Sequence, residues 1–224
     1  MKTRTASLTI LALLFIGTCF QGFSSFTVQH VRSDPGWLTG WSYRAPLVVK
    51  ASLLEGNLTN FPVLVKLTGS RFSFSQMRSD GYDIRFTKAD GTTLLKYERE
   101  RHNATSQVAE YWVKLNLTTT ADTIFYMYWS KADAEDGADP ENVWDSNFKL
   151  VLHLSETSGN YQDSTANNND GTVYGGVTRG VTGQVDGAAQ FDGSSGYVNC
   201  TGSSLNNIVS KLTVEMWMKA SAPS

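Results

Sequence analysis

The chain has 224 residues, of which 41% are hydrophobic, 12% aromatic and 18% charged. Its 19 basic and 21 acidic side chains give a formal net charge of −2, so the sequence lacks the excess of positive charge that nucleic-acid binding needs. With only two cysteines and three histidines, the composition also argues against a disulfide framework or a zinc site.

The N-terminal segment has the layout of a secretory signal. Lys2 and Arg4 precede an apolar run over residues 8–20, and residues 21–25 are small and polar. We therefore predict a signal peptide over residues 1–25 and a secreted or cell-surface protein.

Two other interpretations of the N-terminal segment stay open. It could be an uncleaved signal anchor, in which case this segment is the contact with the membrane, or a lipoprotein signal centred on Cys19. A polar lead-in is predicted over residues 26–36. After cleavage Cys200 would be the one remaining cysteine, so buried sheet surface rather than a disulfide has to stabilise the fold.

From residue 47 onward, short segments alternate apolar and polar residues with the period of half-buried strands. The predicted strands are 47–51, 61–67, 82–87, 92–100, 109–116 and 123–129. Asp90-Gly91 predicts a hairpin turn between the third and fourth of them. For residues 131–139 the sequence predicts a solvent-exposed connection between the sheet and the following linker, or a single helical turn. Because helical patterns are scarce elsewhere, the mature chain is predicted to be all-β and antiparallel.

The order of several short blocks in this region resembles a known family. The blocks are Trp41-Ser42-Tyr43-Arg44, Phe61-Pro62-Val63, Asp80 to Phe86, Tyr97 to Glu100, Tyr111 to Lys114, Ile124 to Trp129 and Val143-Trp144-Asp145. They resemble the domain of unknown function DUF2341, over roughly residues 37–148. Arg99 and Trp129-Ser130-Lys131 depart from the family's usual residues. The resemblance implies an antiparallel β-sandwich, and it implies no established activity.

The remaining residues, 149–224, have a different character. They contain a predicted strand over 150–155, a loop-rich stretch over 156–185, a predicted hairpin around 191–198 and a predicted core strand over 213–218. This order resembles the N-terminal half of a laminin-G-like, concanavalin A-like domain. We therefore expect the β-sandwich to be followed by an incomplete jelly roll.

The candidate catalytic residues are Glu98 and Glu100. Two residues apart on a strand, they should share a face at a separation that glycoside hydrolysis can use. Arg99 and Arg101 are expected on the opposite face, where they could not separate the two carboxyl pKa values. A solvated strand face with exposed charges explains the pair equally simply.

Two candidate binding sites follow from residue type. Trp112 is the best candidate for stacking on a sugar ring, because it shares its strand face with Glu110 and Lys114; a core position is the alternative. Asp163, Asp170 and Asp192 lie on glycine-rich loops and offer oxygen ligands for calcium, although tight turns select the same residues. No histidine has the spacing of a metal ligand, and His153 is expected to pack beneath the jelly roll.

Four N-glycosylation patterns occur, beginning at Asn57, Asn103, Asn116 and Asn199. Together these features predict an exported, non-catalytic recognition module, with a glycan or a surface protein as its partner and calcium as a possible cofactor. Two alternatives stay open: an accessory or catalytic part of a secreted glycoside hydrolase, and a structural stalk or envelope-layer component.

Overall fold

A computed structural model describes residues 29–30 and 36–220 of the protein. The predicted signal peptide and most of the predicted lead-in lie outside this part. The strands are β1 Gln29–His30, β2 Tyr43–Val49, β3 Leu58–Thr68, β4 Arg85–Lys88, β5 Tyr97–Asn103, β6 Val108–Leu117, β7 Thr123–Trp129, β8 Gly171–Tyr174, β9 Val177–Thr182, β10 Gly187–Phe191 and β11 Tyr197–Cys200. The α-helices are α1 Pro140–Val143 and α2 Ser203–Asn206.

Two antiparallel sheets form the body of the molecule, with strand orders β1-β2-β7-β4 and β3-β6-β5. Their facing sides are apolar because each strand alternates: Ala45, Leu47 and Val49 of β2 are buried, as are Val63 and Val65 of β3. The predicted all-β, antiparallel fold class is confirmed. Burying each large apolar side chain between the sheets contributes about 1.5–3 kcal/mol.

Aromatic rings fill the centre of this core. The Phe86 ring lies 5.3 Å from that of Tyr97 and 5.6 Å from that of Tyr111, in edge-to-face contacts. The Tyr97 hydroxyl donates to the carbonyl of Ile84 at 2.8 Å. Burial raises the pKa of Tyr97 to about 12, so this hydroxyl keeps its proton and remains a donor.

The predicted hairpin between residues 82–87 and 92–100 forms only next to its turn. Asp90 does make the expected turn, since its carboxylate accepts from the backbone of Thr92 and Thr93. Backbone hydrogen bonds from Lys88 to Thr93 and from Leu95 to Phe86 flank a bridge between Thr87 and Leu94. Beyond these contacts β4 and β5 belong to different sheets. The chain crosses from one sheet to the other after Leu94, which lets both strands direct their apolar sides into the same core.

The C-terminal part contains two nested antiparallel pairs, β9 with β10 and β8 with β11. The predicted hairpin around residues 191–198 is therefore wrong, because the strands on either side of this loop pair elsewhere. Gly175 has φ of +64°, and a Cβ at this position would overlap the carbonyl oxygen of Ser195. Glycine is thus required where the loop 192–196 folds back over the turn between β8 and β9.

Two other strand predictions fail in this part. Residues 150–155 form only an isolated bridge from Leu152 to Asp163, and Leu154 at φ +59° leaves the strand conformation. Residues 213–218 form no strand, and Leu212, Val214 and Met216 are exposed. An alternating pattern specifies which side of a strand is apolar, but a strand forms only where a neighbour supplies backbone hydrogen bonds. The described residues also contain no helix long and apolar enough to cross a membrane.

Candidate functional site

A charged and aromatic cluster covers the outer face of the second sheet. On β6, Tyr111 and Val113 point into the core, so Glu110 and Trp112 point outward, as their alternation predicts. Yet Glu110 is completely buried. Its carboxylate lies 2.7 Å from Lys66 and 2.7 Å from Arg101, and it accepts the backbone N–H of Asp186 at 3.0 Å.

A bulge on β5 decides which of its side chains reach this face. Glu98 lies opposite Trp112 and Arg101 lies opposite Glu110, so Glu100 is the extra residue between them. The expectation that Arg101 lies on the face opposite the two glutamates is therefore wrong, because an extra residue shifts the alternation by one. Arg99 does lie apart from the cluster, where it pairs with Asp136 at 2.6 Å.

His153 joins the two candidate catalytic carboxylates. Its Nε2 lies 3.1 Å from Glu98 Oε1, and its Nδ1 lies 3.3 Å from Glu100 Oε2. The Nε2 approach is an ion-pair contact without hydrogen-bond alignment. His153 was expected to lie in a strand beneath a jelly roll, and it lies in no strand. The segment that carries it lies across the outer face of the sandwich instead.

Further donors complete the coordination of the two carboxylates. Ser164 Oγ donates to Glu98 Oε1 at 2.6 Å, and Trp144 Nε1 donates to Glu98 Oε2 at 2.8 Å. Trp112 Nε1 donates to Glu100. Glu98 and Glu100 thus do share a face, as predicted, but they are buried, so the alternative of a solvated strand face is wrong.

The electrostatics of the cluster favour a fixed ion pair. Burial by itself would lower the pKa of His153, but Glu100 and Glu98 raise it to about 10. Burial would likewise raise the pKa of Glu98, yet contacts with His153, Ser164 and Trp144 bring this pKa below its ordinary value. At neutral pH the imidazole is therefore positive and Glu98 negative. A general acid needs a raised carboxyl pKa, which is the opposite of the shift at Glu98.

Trp112, the candidate stacking residue, is part of the same cluster. Its partly buried ring is stacked on His153 with centroids 6.2 Å apart and planes inclined by 21°. The Trp144 ring lies 5.5 Å away. A sugar that stacked on Trp112 would have to use ring surface that these two neighbours leave free.

The three candidate calcium ligands lie in two places. Asp163 and Asp170 are joined, since the backbone N–H of Asp163 donates to Asp170 at 2.9 Å. Both oxygens of Asp163 already accept hydrogen bonds, from the backbone N–H groups of Val151, Thr165 and Asn169 and from the Thr165 hydroxyl.

Asp192 organises a separate turn, where it accepts from Ser194, Ser195 and Gly196. These donors hold the pKa of Asp192 well below its ordinary value. Within the described part of the chain, no group of three or more His, Cys, Asp or Glu residues is arranged to hold a metal ion. Calcium would therefore have to displace existing hydrogen bonds at these aspartates.

An exposed pair of tyrosines was not identified from the sequence. Tyr174 at the end of β8 lies directly opposite Tyr197 at the start of β11. Their rings stack with centroids 5.0 Å apart and an interplanar angle of 14°, and they are 44% and 54% exposed. Phe191, which precedes the loop that leads to Tyr197, is 49% exposed. Both tyrosines adjoin glycines in the sequence, but the pairing depends on a strand register that no local pattern reveals.

Comparison with known proteins identifies one similarity. Residues 80–166 match the model of the family described as "Domain of unknown function (DUF2341)". No curated protein and no solved structure matches the chain. The match extends past residue 148, and it therefore contains His153 with its partners Glu98 and Glu100, as well as Ser164. The resemblance to DUF2341 is confirmed over residues 80–166, which are similar to a family of unknown function.

Proposed function

We propose that the protein is an exported, non-catalytic module that binds neutral glycans through the exposed pair Tyr174 and Tyr197. The observation that carries this proposal is the geometry of the pair: two nearly parallel, stacked rings, each about half exposed to solvent. The CH-bearing face of a pyranose ring packs on such a surface, and the two phenol hydroxyls can bond to sugar hydroxyls.

The surroundings of the pair favour an uncharged sugar. Gly175 and Gly176 follow Tyr174, and the Asp192 carboxylate lies against Gly176. Because the pKa of Asp192 is lowered by its turn, this group stays negative and would repel an anionic ligand. The adjacent Ser194 and Ser195 hydroxyls donate hydrogen bonds to Asp192, so the two tyrosine rings are the main surface available to a ligand.

The state of Glu98 and Glu100 supports a non-catalytic module. Both are buried and ion-paired to His153, with Glu98 also bound by Ser164 and Trp144. In such an arrangement neither carboxylate can carry out the proton transfer that a glycoside hydrolase requires. In this proposal the pair fixes the segment around His153 to the sandwich.

The finer interpretation of the C-terminal part also belongs to this proposal. The nested pairs β8–β11 and β9–β10 would form the beginning of a laminin-G-like domain, and the module would act at the cell surface. Calcium would bind near Asp163 and Asp170, which are joined by a hydrogen bond from the backbone N–H of Asp163 to the Asp170 carboxylate. Calcium binding is argued from the resemblance to laminin-G-like domains, whereas glycan binding is argued from the geometry of the two tyrosines.

The test is binding of the chain from Phe26 onward to a panel of neutral and anionic glycans, in calcium and in chelator. We expect binding to neutral glycans, and a loss of about tenfold or more for Tyr174→Ala and for Tyr197→Ala. Leu94→Ala is the matched control, since Leu94 is similarly exposed but lies on the sandwich.

Three results would contradict parts of the proposal. Binding that survives both tyrosine substitutions but is lost in Trp112→Ala would move the site to the cluster around His153. Binding lost only in chelator would assign the site to the aspartate loops. Failure of the folded chain to bind any glycan would leave the structural-component alternative.

A further inference from the structure

The four N-glycosylation patterns have different structural settings, although their asparagines are all exposed. Asn116 and Leu117 lie within β6, and Asn199 and Cys200 lie within β11. The pattern at Asn57 continues directly into β3 with Leu58 and Thr59. At these three positions, two residues of the pattern belong to a strand.

Asn103 differs from the other three. It is the last residue of β5, and Ala104 and Thr105 lie in the turn that leads into β6. The side chains of Asn103 and Thr105 are both exposed. Asn103 Oδ1 accepts the backbone N–H of Ser106 at 2.9 Å, so the side-chain oxygen is bound within the turn while the residue is exposed.

We propose that Asn103 is an N-glycosylation site that is modified on the folded protein, whereas the other three patterns are protected by their strands. An oligosaccharyltransferase must bind the asparagine and the hydroxyl two residues later at the same time. A turn can present both groups, but a strand would first have to leave its sheet. This inference goes beyond glycan binding and depends on the predicted export of the chain.

The reaction joins Asn103 to a sugar carried on a polyprenyl pyrophosphate. The amide nitrogen Nδ2 attacks the anomeric carbon of the sugar. The bond between this carbon and the pyrophosphate oxygen breaks, and the lipid pyrophosphate leaves. The amide loses one proton, which the transferase accepts. One C–N bond replaces one C–O bond, and nothing is oxidised or reduced.

The experiment uses the full chain, made without glycosylation, and compares folded with urea-denatured protein. Each sample is incubated with an oligosaccharyltransferase and a polyprenyl-pyrophosphate oligosaccharide, after dilution to a urea concentration that the enzyme tolerates. Intact mass and peptide mapping report the occupancy of each site. We expect a single glycan at Asn103 on the folded chain, and additional glycans at Asn57, Asn116 and Asn199 on the unfolded chain.

Two variants separate chemistry from folding. Thr105→Ala keeps Asn103 but removes the hydroxyl, so it should abolish modification of the folded chain, and Thr105→Ser should restore it. The proposal is overturned if Asn103 is unmodified on folded protein, or if the strand sites are modified there as readily as Asn103. Modification that persists in Thr105→Ala would overturn it as well.

Discussion

At the scale of single residues, His153 is the side chain on which the outer face of the second sheet depends. It is the positive group between Glu98 and Glu100, and all three side chains are mostly buried. Removing one partner of a buried ion pair leaves its neighbours charged and without compensation. For His153→Gln we therefore expect a loss of about 3–5 kcal/mol in the free energy of unfolding at pH 7.

The pH dependence of this loss follows from the sign of the pKa shift. The pKa of His153 rises from 6.5 to about 10 on folding, so its contribution is complete below pH 6.5 and disappears as the pH rises to about 10. The lowered pKa of Glu98 acts at the other end, where stability is lost as the pH falls below the ordinary value of 4.5. The free energy of unfolding of the wild type should therefore exceed that of His153→Gln by the largest amount between pH 4.5 and 6.5.

Urea unfolding of the wild type and His153→Gln from pH 4 to 10 measures this difference. Lys50→Ala is the control, because it breaks an exposed ion pair with Asp122 and should cost clearly less. A difference between wild type and His153→Gln that stays constant up to pH 10 would refute the assignment of the charge to His153.

Much of the residue-level arrangement on this face could not be predicted from sequence. Alternation correctly placed Trp112 with Glu110, and it correctly paired Glu98 with Glu100. It could not reveal the bulge at Glu100, which brings Arg101 onto the same face. Nor could it place His153, because a histidine 53 residues away along the chain meets Glu100 only through tertiary packing.

At the scale of elements, the segment 149–170 is held mainly by one aspartate. Asp163 is 7% exposed, and its carboxylate binds the backbone at Val151, Thr165 and Asn169. Asp163→Ala would leave these buried N–H groups without acceptors. We expect it to lower the free energy of unfolding by about 2–4 kcal/mol, measured by urea denaturation in chelator.

Asp192 provides a matched comparison for this prediction. It accepts a similar number of hydrogen bonds, but its turn is exposed, so water can replace the lost acceptor. Asp192→Ala should therefore have a clearly smaller effect than Asp163→Ala. If the loss for Asp163→Ala appears only when calcium is present, the carboxylate is a calcium ligand rather than a backbone anchor.

The elements themselves were predictable where a strongly alternating pattern belongs to a strand that finds a partner in the fold. β2, β3, β6 and β7 lie close to their predicted positions, within a few residues at their ends. Residues 213–218 have a similar pattern but form no strand, and Leu154 leaves the strand conformation. In both cases the pattern was present and the hydrogen-bonding neighbour was not.

At the scale of the whole molecule, the sandwich and the chain beyond residue 148 share one network of charges. His153 binds Glu98 and Glu100, and Asp186 lies 3.3 Å from Arg101, which itself binds Glu110. The match to DUF2341 likewise continues to residue 166. A domain boundary at residue 148, as the change in composition predicts, would cut between these partners.

We therefore expect the sandwich and residues 149–186 to unfold together. Far-UV circular dichroism reports the strands, and tryptophan fluorescence reports the contact of Trp112 and Trp144 with His153, so their urea transitions should coincide for the whole chain. A chain that ends at Phe148 would expose Glu98, Glu110 and both indoles, and its transition should shift to lower urea. Two results together would instead support independent folding of residues 37–148. In the whole chain, tryptophan fluorescence would change at lower urea than the circular dichroism signal of the strands. In the shortened chain, the midpoint would not shift.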